Sequence, residues 1–147
     1  MDKVKQVIVI RRDLRNSDGQ KVRTGKLIAQ ACHASIAFLT NKIRLHSSKQ
    51  NSGFPDMSIN SVDFMSTLND VQKEWINGSF FKICVGVDSE KELLDIVEKA
   101  RSMGVECNLI TDQGHTEFNG VPTNTCLALG PDLSSKIDSI TGNLKLL

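Results

Sequence analysis

The sequence has no C-x-x-C pair. Its four cysteines, Cys32, Cys84, Cys107 and Cys126, stand far apart, and none is matched to a histidine at the spacing a zinc site uses. Zinc fingers and ribbons are thereby excluded, because they need closely paired thiolates or imidazoles. Three of the cysteines fall in apolar, strand-like runs, which reads as reduced and buried thiols. A long hydrophobic run, a secretory leader and a lipidation motif are also missing, so the chain reads as cytoplasmic with no membrane part. Gly19 and the pair Gly25-Lys26 hint at a phosphate-cradling P-loop, but five residues separate the glycines where four are needed. Leu27 stands where a Ser or Thr would hold magnesium, and an NTPase is excluded. There is no G-x-S-x-G elbow and no Ser-His-Asp order, which argues against a covalent acyl-enzyme. With no internal repeat, 147 residues make one domain, 1–147, able to bury about two-thirds of its unfolded surface.

A strong net charge is missing too, at +1, yet the charge is unevenly spread. Residues 1–26 hold eight cations against three acids, and residues 88–117 hold eight acids against three cations. Arg11, Arg12, Arg15, Lys21 and Arg23 crowd together in the basic stretch, a composition suited to phosphates. A solvated surface is the plainer reading of the same run.

What is present is organised around residues 24–39, T-G-K-L-I-A-Q-A-C-H-A-S-I-A-F-L. Leu27, Ala31, Ala34 and Phe38 recur at helical spacing, with Ile28, Ser35 and Leu39 widening the stripe, and Thr24 reads as the N-cap. A second face carries Lys26, Gln30, His33 and Ala37 at intervals of four, three and four. A cation, an amide and an imidazole in line at the positive end of a helix suit an anionic ligand, and a plain polar face is the alternative.

Before this helix, Val4 to Ile10 is a β-branched strand that runs into the cationic loop. After it, residues 46–58 are rich in Ser, Asn, Gly and Lys and read as a flexible loop. Val62, Met65, Leu68 and Val71 mark a second amphipathic helix ending near Trp75, which reads as a core anchor. Phe80–Val87 is a second strand and Ser89–Met103 a third helix, stopped by Gly104. Residues 106–111 form a third strand that delivers Asp112 to its end. A turn-rich loop leads to a fourth strand, 125–129, then a last helix to about Ile140 and a tail. The loop from Asp112 to Asn124 holds no helix, so the fourth strand is expected antiparallel to the third. The expectation is an α/β fold, a three-layer α/β/α arrangement with a four-stranded mixed sheet.

Five short motifs then stand in order: R-x-D-L at 11–14, G-K-L-I-A-Q-A-C-H-A at 25–34, D-Q-G-H-T-E at 112–117, T-C-L-A-L-G-P at 125–131 and I-T-G-N-L-K-L-L at 140–147. Together they resemble the archaeal/eukaryotic-type peptidyl-tRNA hydrolase family, often called type 2, from about Val4 onward. The resemblance implies hydrolysis of the ester between a peptide and the 3′ ribose of tRNA, without cofactor or metal, by a protein often found as a homodimer. It carries over Lys26, Gln30, His33, Asp112, Thr116 and Thr125 as site residues. Three departures mark this chain. The loop at 15–24 is ten residues where the family has about four, and His115 and Glu117 replace the usual Arg and Gln. A histidine contacts phosphate as the arginine would only when protonated.

For ester hydrolysis, Asp112 is the carboxylate expected to orient or deprotonate water, with His33 as the alternative acid/base. Lys26 is the electrophile for the oxyanion, and the Thr116 and Thr125 hydroxyls are donors to it. Arg11, Arg12, Arg15, Gln30 and His115 are the expected substrate-binding set, holding the acceptor end of peptidyl-tRNA. Two other readings stay open at this point: a noncatalytic RNA- or protein-binding relative, and a hydrolase of aminoacyl esters.

Overall fold

The computed structural model describes residues 2–49 and 65–147. The elements run β1 (Val4–Arg11), α1 (Thr24–Lys49), α2 (Asp70–Asn77), β2 (Lys82–Val87), α3 (Glu90–Ser102), β3 (Cys107–Asp112), β4 (Thr123–Leu133) and α4 (Ser134–Thr141). The four strands lie in the order β2-β1-β4-β3. β1 and β2 are parallel, and β4 runs antiparallel to both of its neighbours. The mixed sheet and the antiparallel last strand are as expected.

β1 is apolar on both faces because both are covered. Val7 and Val9 join Val85, Val87, Leu127 and Leu129 beneath Leu93, Ile96 and Ala100 of α3 and Ile137 and Ile140 of α4. Ile8 and Ile10, pointing the other way, join Cys126 and Ala128 beneath α1. There α1 presents Ala34, with Leu27 and Ala31 alongside, so small side chains bring the helix close to the sheet. Gln6, fully buried on the same face, donates to the Ser35 carbonyl (2.9 Å) and accepts from the Ser35 hydroxyl (2.8 Å), tying β1 to α1. The result is the three-layer α/β/α arrangement.

Several local expectations are corrected. The Arg23 carbonyl accepts from the Lys26 and Leu27 amides, so Arg23 holds the N-cap position and Thr24 is the first helical residue. Ile28 is 59% exposed and lies outside the buried stripe. α1 extends to Lys49, so residues 46–49 of the expected loop are helical, and 50–58 lie outside the described residues. α2 starts only at Asp70, behind an Asn69/Gln72 capping box; Leu68 and Trp75 pack with Phe38 and Val4, and Val62 lies outside the described residues. Trp75 is the core anchor, its indole donating to the Phe81 carbonyl at 2.8 Å. Cys126 is buried, but Cys84 is exposed and Cys107 only partly covered.

The sheet is also larger than its apolar runs suggest. β4 starts at Thr123 and continues through Gly130-Pro131, pairing Asp132 and Leu133 with Lys5 and Val4 after a register shift. The tail lies along the outer edge of β2, where Gly86 donates to the Lys145 carbonyl (3.0 Å) and Leu147 to the Cys84 carbonyl (3.1 Å). Those bonds cover backbone groups that an open edge strand would leave free.

Candidate active site

Asp112 closes β3, and its backbone partner across the ladder is Thr123. The chain then turns sharply through Gly114, whose φ of +82° and whose position (an added Cβ would sit 2.4 Å from the Val121 carbonyl oxygen) admit only glycine. The Gly114 amide returns to Asp112 Oδ1 at 2.8 Å, an Asx-type turn. α1 brings the other partners. Its first turn sends Lys26 Nζ to Asp112 Oδ2 at 2.7 Å, and Gln30, one turn on, sends Nε2 to the same oxygen at 3.0 Å. Lys26 Nζ also reaches Thr116 Oγ1 at 3.1 Å, leaving the threonine proton free to donate elsewhere.

Gln30 is 4% exposed and Thr125 1%, so the second face of α1 is no solvated stripe. An ionised carboxylate only accepts, so the Gln30 amide must turn Nε2 toward Asp112 and Oε1 toward the Thr125 hydroxyl, which donates to it at 2.8 Å. Thr125 points there because of a bulge. Ile110 pairs with Cys126 and Thr111 with Asn124, which leaves Thr125 as the extra residue on β4 and turns it off the regular alternation. Its hydroxyl proton is thus committed to Gln30, which in turn donates to Asp112. Gln30 likewise spends both ends of its amide inside the protein.

Burial pushes the Asp112 carboxyl up, but the Lys26 and Gly114 hydrogen bonds, the Lys26 charge and the Gln30 amide outweigh it and hold it below the ordinary aspartate range. The site therefore carries an ionised carboxylate at neutral pH, with the Lys26 side chain and the Thr116 hydroxyl beside it.

The ten-residue segment before α1 is built as a small hairpin. Arg15 bridges to Lys21, the Asn16 amide donates to the Gln20 carbonyl (2.8 Å), and Asn16 Oδ1 accepts from the Asp18 and Gln20 amides. Leu14 and Val22 at its base pack with Phe118 of the Asp112 loop. Between hairpin and loop lies a cleft of about 270 Å³, whose rim includes Arg11, Arg15, Asn119 and Thr123.

The expected binding residues divide. Arg11 grips Asp13 through two hydrogen bonds and the Asn124 carbonyl through a third. Arg12 grips Asp88 through two. Arg15 is exposed; its guanidinium donates to the Leu14 carbonyl at 3.1 Å and its charge acts on Asp13. His33 and His115 are exposed and make no hydrogen bond among the described residues, so neither histidine joins the Asp112 cluster. Two contributors were missed by sequence reasoning. The Gly114 amide is one, and the D-x-G spacing that signals an Asx turn was there to find it. The other is Glu117, noted only as a departure, which accepts from Arg23 Nε (2.7 Å) and from the Arg23 amide (3.3 Å).

The family model described as peptidyl-tRNA hydrolase PTH2 matches residues 4–147. The chain belongs to that family. A peptidyl-tRNA hydrolase of Methanocaldococcus jannaschii is 41% identical over 145 residues, covering 98% of this chain and 100% of the relative. One of Methanothermobacter thermautotrophicus is 37% identical, with 98% and 100% covered. A probable peptidyl-tRNA hydrolase 2 of Dictyostelium discoideum is 34% identical over 97% of this chain and 54% of its own length. Of the six residues that the resemblance carries over, Lys26, Gln30, Asp112, Thr116 and Thr125 are joined by hydrogen bonds and His33 is not.

Proposed function

We propose that this chain hydrolyses the ester joining a peptide to the 3′ ribose of tRNA, releasing tRNA and peptide, with the water activated by its own side chains and no cofactor. The observation that carries the reading is the contact of Lys26 with both Asp112 and Thr116. Asp112 orients the attacking water through an oxygen lone pair and, held ionised, takes up its proton as the C–O bond forms. Lys26 and the free proton of Thr116 meet the charge that develops on the carbonyl oxygen. When the tetrahedral intermediate collapses, the bond to the ribose 3′ oxygen breaks and that oxygen takes the proton. Asp112 has this role in preference to His33, which lies apart from the network.

Further parts of the reading are a single domain over 1–147, a cytoplasmic setting beside translation, and a homodimer. No helix among the described residues is long and apolar enough to cross a membrane. Support for the dimer is a groove of about 400 Å³ between α1 and β2, lined by Ile8, Ile10, Leu27, Ile28, Ala31 and Cys84 among others.

The test sets peptidyl-tRNA, aminoacyl-tRNA and a simple acyl ester side by side. The reading expects turnover of the first to exceed the others, and Lys26→Ala to reduce it at least about a hundredfold, the scale of one electrostatic catalytic group. Preference for aminoacyl-tRNA would select the aminoacyl-ester hydrolase instead, and binding without turnover the noncatalytic relative. A folded Lys26→Ala with normal turnover would remove Lys26 from the mechanism.

A further inference from the structure

Among the basic residues ahead of α1, Arg23 is unlike the others. Arg11 and Arg12 spend their guanidinium groups on Asp13 and Asp88. The Arg23 side chain is 78% exposed, yet its Nε is fixed at 2.7 Å to Glu117, whose side chain is only 6% exposed. Its Nη1 and Nη2 make no hydrogen bond among the described residues. A buried carboxylate thus holds the inner edge of a guanidinium and leaves the outer edge facing solvent in one orientation.

The place is as telling as the posture. Arg23 caps α1 three residues ahead of Lys26, whose amide donates to the Arg23 carbonyl at 3.0 Å. Glu117 is flanked in the chain by Thr116, which accepts from Lys26, and by Phe118, whose ring lies 5.8 Å from Lys26 Nζ. The Glu117 carbonyl also accepts from the Ser17 amide at 3.0 Å, so the same residue joins the hairpin to the Asp112 loop. We propose that Arg23, held by Glu117, is the anchor for a backbone phosphodiester of the tRNA acceptor strand, and that Glu117 is its positioning residue. This rests on the peptidyl-tRNA reading above and names the group that seats the RNA there. A planar guanidinium with two parallel N–H groups matches two phosphate oxygens, and fixing its plane in advance lowers the ordering cost of binding. The Arg23 hydrogen bond also holds the Glu117 carboxyl below the ordinary range, so the holder stays charged through neutral pH.

The test has two arms. The first measures binding of tRNA carrying no peptide across a salt series, and so reads the anchor whether or not the chain cleaves the ester. Arg23→Ala is expected to weaken binding by about fivefold or more and to flatten the log–log salt slope by about 0.7 to 0.9, the share of one phosphate. Lys91→Ala, on the acidic α3 and paired with Asp95, leaves affinity and slope as they were. Glu117→Gln, which keeps an acceptor for the Arg23 amide, gives a smaller loss than Arg23→Ala and adds nothing when combined with it. The second arm compares peptidyl-tRNA with a peptidyl ester of adenosine that has no phosphate. Arg23→Ala should raise KM for the first by about the factor lost in binding, with kcat and the rate on the second within about twofold. Arg23→Ala that binds tRNA as Lys91→Ala does would overturn the anchor. Equal losses from Glu117→Gln with and without Arg23 would overturn the positioning role. A rate on the adenosine ester that falls as far as that on peptidyl-tRNA would show the pair to be a support for Lys26 instead. If the unaltered chain cleaves no peptidyl-tRNA, the catalytic reading fails while the binding arm still decides the anchor.

Discussion

At the scale of single residues, the charge on Asp112 survives because three donors converge on two oxygens while burial pulls the other way. A carboxylate held below its ordinary pKa is a weak base, so in the proposed mechanism its main service is to orient water, with proton uptake helped by Lys26 next to the developing oxyanion. Asp112→Asn keeps the shape and removes the charge. Turnover of peptidyl-tRNA is expected to fall by at least about a hundredfold while the far-UV spectrum is unchanged, read by initial rates and circular dichroism. The acid side follows from the direction of the shift. With the folded-state pKa lowered, the ionised form and its stabilising contacts are present above the unfolded value and are lost as pH falls through the folded one. The acid limb of kcat/KM is therefore expected below the ordinary aspartate value of 3.8. An inflection at or above that value would show that another group limits the rate. Thr125→Val tests the layer behind. It leaves the Gln30 carbonyl oxygen buried without its donor, which costs about 1–3 kcal/mol by urea unfolding and, by loosening Asp112, about tenfold in kcat.

At the scale of elements, α1 has two duties on one rod: Ala34 sits fully buried against the sheet, and Lys26 and Gln30 face Asp112. Ala34→Leu overpacks that contact and is expected to cost about 1–3 kcal/mol in urea unfolding, with a loss of activity in the folded fraction as the helix is pushed off the sheet. Unchanged activity would mean that the loop of Asp112 follows the helix. This element was legible in the sequence because a long helix repeats its signal: the intervals joining Lys26 to Gln30 and Ala31 to Ala34 are read without knowing any partner. Asp112 was legible as the end of an apolar run. The role of Thr125 was not, since strict alternation puts it on the other face and only the bulge between Ile110 and Thr111 turns it inward. Nor was the pairing of the tail with β2, or of Asp132 and Leu133 with β1, because both depend on contacts far apart in sequence. His33 illustrates the converse. Its spacing along α1 is right, but it is exposed and makes no hydrogen bond among the described residues.

At the scale of the whole molecule, the exposed apolar groove between α1 and β2 lies on the same helix as the active-site residues but on another side of it. If it joins two copies, Ile28→Glu, at a side chain 59% exposed in the single chain, should convert a dimer to a folded monomer in sedimentation equilibrium. A monomer before the change, or a dimer after it, removes that face from the interface. The inner network has a different consequence, for the direction of proton movement. Gln30 stands between Asp112 and the interior with its nitrogen toward one and its oxygen toward Thr125. A carboxamide N–H does not ionise at neutral pH, so no proton is handed on through it. On that side Asp112 is insulated, so in the proposed mechanism the protons it gains and gives up must come and go on the side away from Gln30.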